Sequence, residues 1–174
     1  MGEVFQMRAG QHISASDISG AQGEHHRYPC FGGNGVRGFV GTPSHNGVHL
    51  LIGRQGALCG NIQRARGEFY ATEHAVVVTA LNGIDVDWAF HMLTLMDLNQ
   101  YASTSAQPGL AVGRIEQVQI PVPALAEQRR IVAILDRFDI LVNDLSTGLP
   151  AEIKARRQQY EYYRDKLLTF TEAA

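Results

Sequence analysis

No lysine occurs in the first 120 of the 174 residues; the basic side chains there are seven arginines and seven histidines. The formal net charge is −2, which excludes attraction to nucleic acid by overall charge and leaves only local patches for that purpose. Arginine used to the exclusion of lysine fits guanine edges and phosphates, because its planar fork offers two-point hydrogen bonding. Compositional bias from a GC-rich genome explains the same usage. Cysteine is scarce as well. Cys30 and Cys59 form no disulfide framework and match no zinc spacing. No window approaches 18 apolar residues, and MGEVFQMRAG has no signal-peptide core. A soluble, cytoplasmic protein without membrane contact is expected. Charged residues make up 18% and apolar residues 45%, so the chain has enough apolar surface to fold around a core.

Catalytic motifs are missing too. HLLIGRQGALCGNI (49–62) is glycine-punctuated but lacks the Gly-Lys-Ser/Thr of a phosphate loop. No βαβ unit surrounds it, as a dinucleotide site requires. Ser103 and Ser105 sit in no nucleophile elbow. His25-His26 and Glu73-His74 have no partners at metal-ligand spacing and read as surface or satisfied histidines. No Asn-Pro-Pro-Tyr motif for adenine methylation is present. The chain is expected to be non-catalytic, without metal or cofactor of its own.

What is present falls into two parts. Residues 1–120 hold 17 of the 18 glycines, with short β-rich runs between turn signals. Val4–Met7 opens a strand. Gly33-Asn34-Gly35 turns the chain between Phe31 and Val36. Val48–Ile52 and Ala57–Ile62 read as strands of a tight hairpin through Gly53-Arg54-Gln55-Gly56. HAVVVT (74–79) is a buried strand. One helix follows Asp85 or Asp87 and ends near Asn99, and Val118–Val122 is a short closing run.

After Pro123 the pattern becomes helical, with apolar residues at 131, 134, 138, 141 and 145. Gly148-Leu149-Pro150 predicts a break, after which Ile153, Tyr160, Tyr163, Leu167 and Phe170 resume the 3/4 spacing. A helical hairpin folded on the core and a coiled-coil arm that pairs with another chain both satisfy the pattern; length and interleaved charge favour the arm. The fold class is α+β: a β-rich domain over 1–123 with one or two small helices, then a long helical region over 124–174 broken near 148–150.

Asn34, Arg37, Arg54, Gln55 and Asn61 lie on or beside tight turns, where side chains project from a rigid scaffold. Arginine reads guanine N7 and O6, and Asn or Gln reads adenine N6 and N7. Tyr101, with Asn99 and Gln100, forms a second polar and aromatic cluster. For each of these residues, turn hydrogen bonding or surface solvation is the structural alternative. For Arg54 that alternative is a guanidinium that locks the loop by bonding backbone carbonyls.

YPCFGGNGVRGFVG, HLLIGRQGALCGNI, FYATEHAVVV, LNQYASTSAQPGLAV, IPVPALAEQRRIVAILDRFD and GLPAEIKARRQQYEYYRDKLLTF together resemble one half of the specificity subunit of type I restriction–modification systems. The resemblance spans 28–170 almost without a gap. It implies a target recognition domain that reads one half of a split DNA site and a helix that acts as a spacer. It implies docking to adenine-methylating modification subunits that use S-adenosylmethionine. A restriction subunit using ATP and magnesium would add translocation and cleavage. The chain departs from the full pattern by having one recognition domain and one helical region, so a natural half-size subunit or an excised half is expected. A lone amphipathic arm exposes an apolar stripe, which predicts a two-fold homodimer through Ile131, Leu135, Phe138, Leu141, Leu145, Ile153, Tyr160, Tyr163 and Leu167. Such symmetry maps onto a palindromic split site. The rival reading is a stand-alone DNA-binding protein, a repressor or decoy, using the same domain.

Overall fold

Alternation of apolar and polar residues, at the period of an extended chain, builds the sheet. The computed structural model describes residues 1–56, 58–104 and 108–168, with the backbone alone at 140–151 and 165–168. The strands are β1 (Phe5–Ala9), β2 (Tyr28–Gly32), β3 (Gly35–Val40), β4 (His45–Gly53), β5 (Ile62–Ala71) and β6 (Ala75–Ala80). They form one six-stranded sheet in the order β1-β6-β4-β5-β2-β3. Every neighbouring pair is antiparallel except β2 with β5. The α+β, mostly antiparallel architecture is the one the sequence predicts.

One face of the sheet is packed by helices. Phe5, Met7, Leu50, Ile52, Ile62, Val76 and Val78 meet Trp88, Ala89, Leu93, Leu98, Leu110 and Ile115 in the first core. Helix α1 (Val86–Leu95) supplies Trp88, Ala89 and Leu93, which share one side at 3.6-residue spacing. Its N-cap is Asp85, whose carboxylate accepts from Asp87 N at 3.1 Å and Trp88 N at 3.0 Å. The opposite face carries a smaller cluster of Phe31, Leu51, Ala65, Phe69, Ala71 and Val77.

Several elements depart from the sequence expectation. α1 stops at Leu95 because Asp97 is left-handed (φ 44°), and a 3-10 turn over Leu98–Tyr101 follows. Val112–Glu116 forms a short helix, α2, around buried Ile115. The run 118–122 is not a strand. β4 and β5 do pair as a hairpin, with Ile52 opposite Ile62, but no tight turn joins them. Leu58–Gly60 is turn and not strand, while Ala57 lies outside the described residues. β5, the longest strand at 10 residues, gives little pattern signal because it carries Arg64, Arg66 and Glu68. Its charge is accommodated by tertiary partners: the Arg64 guanidinium lies 3.7 Å over the Phe90 ring and its Nε is 3.0 Å from Asp87 Oδ1.

The chain divides into two units, Met1–Val132 and Ala133–Ala174. Helix α3 (Leu125–Leu168) begins in the first and continues in the second. Its backbone is helical through Gly148-Leu149-Pro150, where the sequence predicts a break. Glycine and proline cost about 1 and 3 kcal/mol in a helix interior, yet a true break would require a second helix nucleus. In the first unit, Gln128 is fully buried near the start of α3. Its Oε1 accepts from Asp85 N at 2.7 Å, and its Nε2 donates to Gly83 O at 3.0 Å and Pro123 O at 2.9 Å. Ile131, expected to face a partner chain, is half-buried and packs against the first core of its own domain. In the second unit, Phe138, Ile153, Tyr160 and Tyr163 are exposed, while the Leu141, Leu145 and Leu167 side chains lie outside the described residues.

Replacing Gln128 by Ala removes the hydrogen-bond partner of three part-buried backbone groups. The expected loss is about 1–3 kcal/mol of folding free energy, read by urea denaturation of the full chain.

Candidate nucleic-acid interface

Four connections converge at one region of the first unit: the turn between β2 and β3, the loop from Arg54 to Asn61, the turn between β5 and β6, and the segment 108–110. Backbone bonds tie them together. Arg54 N donates to His74 O at 2.8 Å, and Arg54 O accepts from Leu110 N at 2.9 Å. Gly56 N donates to Pro108 O at 3.0 Å, and Gly60 N to Gly53 O at 2.7 Å. Two glycines are obligatory for this closeness. A Cβ on Gly53 would lie 2.0 Å from Gly33 O. A Cβ on Gly60 (φ +91°) would lie 2.4 Å from Asn99 N.

Side chains then pair across the loops. Asn61 Nδ2 donates to Asn34 Oδ1 at 2.8 Å, and both residues are exposed. The bond leaves the Asn34 amide donors and the Asn61 carbonyl available. Gln55 is exposed; its Oε1 lies 2.7 Å from His74 Nδ1, which directs the Gln55 amide donors away from that ring. His74 Nε2 lies 3.6 Å from Glu73 Oε1, and the same oxygen is 2.9 Å from His12 Nδ1. The His12 hydrogen bond, the largest influence, holds the Glu73 carboxyl below its ordinary pKa. Tyr70 OH donates to His12 O at 3.1 Å. His12, Tyr70, Glu73 and His74 are support residues that sequence reasoning did not join to the loop. The Gln11–Thr72 bridge that brings His12 to the other three links positions 61 residues apart, so no local motif signals it.

The arginines differ in environment. Arg37 is exposed on edge strand β3 and Arg54 is half-buried in the loop; neither guanidinium has a hydrogen bond or ion pair among the described residues. The loop is thus locked by the main chain of Arg54, not by its side chain. Burial pushes the Cys30 thiol pKa up, and the nearby Arg37 charge only partly offsets this. Arg64 and Arg66 are engaged by Asp87 at 3.0 and 3.4 Å.

Tyr101 is not brought into this cluster. A 3-10 turn eclipses residues three apart, so Tyr101 follows fully buried Leu98 toward the first core, where its side chain packs. Its carbonyl accepts from Arg114 Nη1 at 3.2 Å. Among the described residues, no three His, Cys, Asp or Glu side chains gather as a metal site, and no helix is long and apolar enough to cross a membrane.

These elements define a small sheet domain presenting polar loops. Residues 1–155 match the type I restriction modification DNA specificity domain, and the chain belongs to that family. The EcoprrI type I restriction enzyme specificity subunit of Escherichia coli is 62% identical over 146 residues, covering 84% of this chain and 36% of that one. A putative type I restriction enzyme specificity subunit of Haemophilus influenzae is 32% identical over 151 residues, covering 83% and 39%. Among solved structures, the S subunit of the type I restriction-modification system of M. genitalium superimposes with a TM-score of 0.69 at 18% identity, over 98% of this chain and 45% of that chain. The HsdS subunit of Thermoanaerobacter tengcongensis gives 0.64 at 22%, over 84% and 38%. These two share the fold. The chain spans less than half the length of these relatives.

Gly53→Ala forces its new methyl into the Gly33 carbonyl. The expected destabilisation is about 1–3 kcal/mol, measured by thermal or urea unfolding beside Gly56→Ala, whose Cβ meets nothing within 4 Å but whose φ is +88°.

Proposed function

We propose that this chain is a DNA-reading module of a type I restriction–modification system, recognising one half of a split target and docking adenine methyltransferase subunits. The observation that carries the reading is the loop cluster. Arg54, Gln55, Asn34 and Asn61 sit on connections of one sheet with Arg37 beside them on edge strand β3, and the two guanidinium groups lack protein partners among the described residues. Guanidinium forks and side-chain amides are the groups that discriminate base edges in the major groove, while the same arginines also engage phosphates. A net charge of −2 makes this contact focal, set by a few residues and not by the whole surface.

The chain does no chemistry itself. S-adenosylmethionine belongs to the methyltransferase partner, and ATP with magnesium to any restriction subunit. Helix α3 is the spacer, and it pairs as a coiled coil with a second copy of this chain. Support comes from Phe138, Ile153, Tyr160 and Tyr163, which are 52–66% exposed, a repeated apolar series that water disfavours. Two copies then present two equal readers.

Arg54→Ala and Arg37→Ala should each weaken duplex binding with little change in unfolding temperature. Fluorescence anisotropy against salt reads the effect: a phosphate contact lowers the log–log slope by about 1, and a base contact costs about 1–3 kcal/mol at the cognate site. Unchanged binding by both variants removes the reading. Solution mass tests the pairing: light scattering should return twice 19.1 kDa, and a monomer at micromolar concentration defeats it.

A further inference from the structure

The sheet face opposite α1 carries a polar pocket that the loop cluster does not use. Its volume is about 150 Å³, and it is lined by Gln6, Arg8, His45, Val77 and Thr79. At about 30 Å³ per water, it holds a group of a few heavy atoms. Gln6 and Arg8 come from β1, where Gln6 lies opposite Thr79 and Arg8 opposite Val77 of β6. The Arg8 side chain is exposed and its guanidinium has no hydrogen bond or ion pair among the described residues. β4 contributes His45 to the lining, and His49 sits behind it against Thr79. β5 contributes Phe69, on which His45 stacks at 5.3 Å between centroids. No carboxylate is among the lining residues.

Hydrogen bonding makes the pocket sensitive to protons. His49 Nε2 is 3.2 Å from Asn46 O. A carbonyl has no proton, so this nitrogen carries one and donates. His49 Nδ1 is 3.1 Å from Thr79 Oγ1. In the neutral ring Nδ1 is bare and accepts a hydrogen bond from the Thr79 hydroxyl, which leaves the hydroxyl oxygen facing the pocket as an acceptor. In the protonated ring Nδ1–H donates to Oγ1, and the Thr79 proton is released toward the pocket. Proton uptake thereby turns Thr79 from an acceptor into a donor. His45 lies 6.0 Å from His49 between centroids. Burial first, and the charge of His49 second, lower its pKa; an anion in the pocket opposes that repulsion.

We propose that this pocket binds a phosphate group of the nucleic-acid backbone, held by the Arg8 guanidinium, the Thr79 hydroxyl and the Gln6 amide, and taken up together with a proton. The assignment of the backbone as its source rests on the DNA-binding reading above. The anion chemistry rests on the pocket alone.

The test follows the histidine Cε1–H resonances of the full chain by NMR, with dimethyl phosphate as probe because its single charge is constant near neutrality. His45 and His49 should shift saturably, and His12, His25, His26, His74 and His91 should stay in place. Affinity should rise as the pH is lowered, because proton uptake places positive charge and a hydroxyl donor beside the anion. Arg8→Gln and Thr79→Val should each weaken it by about tenfold while the five remaining signals report an intact fold. A short duplex should move the same two resonances. Stationary His45 and His49 signals at high dimethyl phosphate overturn the site, as does unchanged affinity in Arg8→Gln. A duplex that binds without moving them overturns the site and leaves the loop reading standing. Shifts with dimethyl phosphate in a chain that binds no duplex overturn the backbone assignment and the loop reading together.

Discussion

The main chain of residue 54 is the constraint on which the candidate interface depends. One amide and one carbonyl, bonded to His74 O and Leu110 N, hold three connections that are distant in sequence. The close approach of Gly53 to Gly33 removes the space into which the loop could relax. Buried backbone groups are costly to leave unpaired, so the arrangement is stable as a set and not as independent loops. Side chains at 34, 55 and 61 are placed on top of this frame and settled by hydrogen bonds among themselves and with His74.

Charge is distributed with the same economy. Arg64 and Arg66 are matched to Asp87, and Arg64 also covers the Phe90 ring. These residues keep strand β5 compatible with its helix-covered face. Arg37, Arg54 and Arg8 have no such partners among the described residues. The first two border the loop cluster and the third borders the pocket on the opposite face. A chain of slightly negative net charge therefore carries positive potential in discrete places.

Much of the fold was legible because turn chemistry and apolar periodicity are local. Gly33-Asn34, the β-branched run of β6 and the Asp85 cap all stand where their residue types put them. The rest depended on contacts far apart in the chain. β5 escaped because its two arginines are engaged by Asp87 and Phe90 of α1. The end of α1 was misplaced because a left-handed Asp97 has no strong sequence signal. Tyr101 was grouped with Asn99 and Gln100 as a second cluster by sequence proximity, and the 3-10 turn packs its half-buried ring against the first core. His12, Glu73 and His74 became visible as one chain of contacts only once the Gln11–Thr72 bridge was in view. Gly148 and Pro150 gave a break signal that the continuous backbone of α3 does not follow.

Because the clamp at position 54 uses only an amide hydrogen and a carbonyl oxygen, every residue type except proline preserves it. The position is a socket with a fixed mount and an exchangeable tip. A lineage can exchange the side chain presented there by a single codon, without first acquiring a compensating change in the scaffold. Variety in the presented side chain and constancy of architecture are then two results of one pair of backbone bonds.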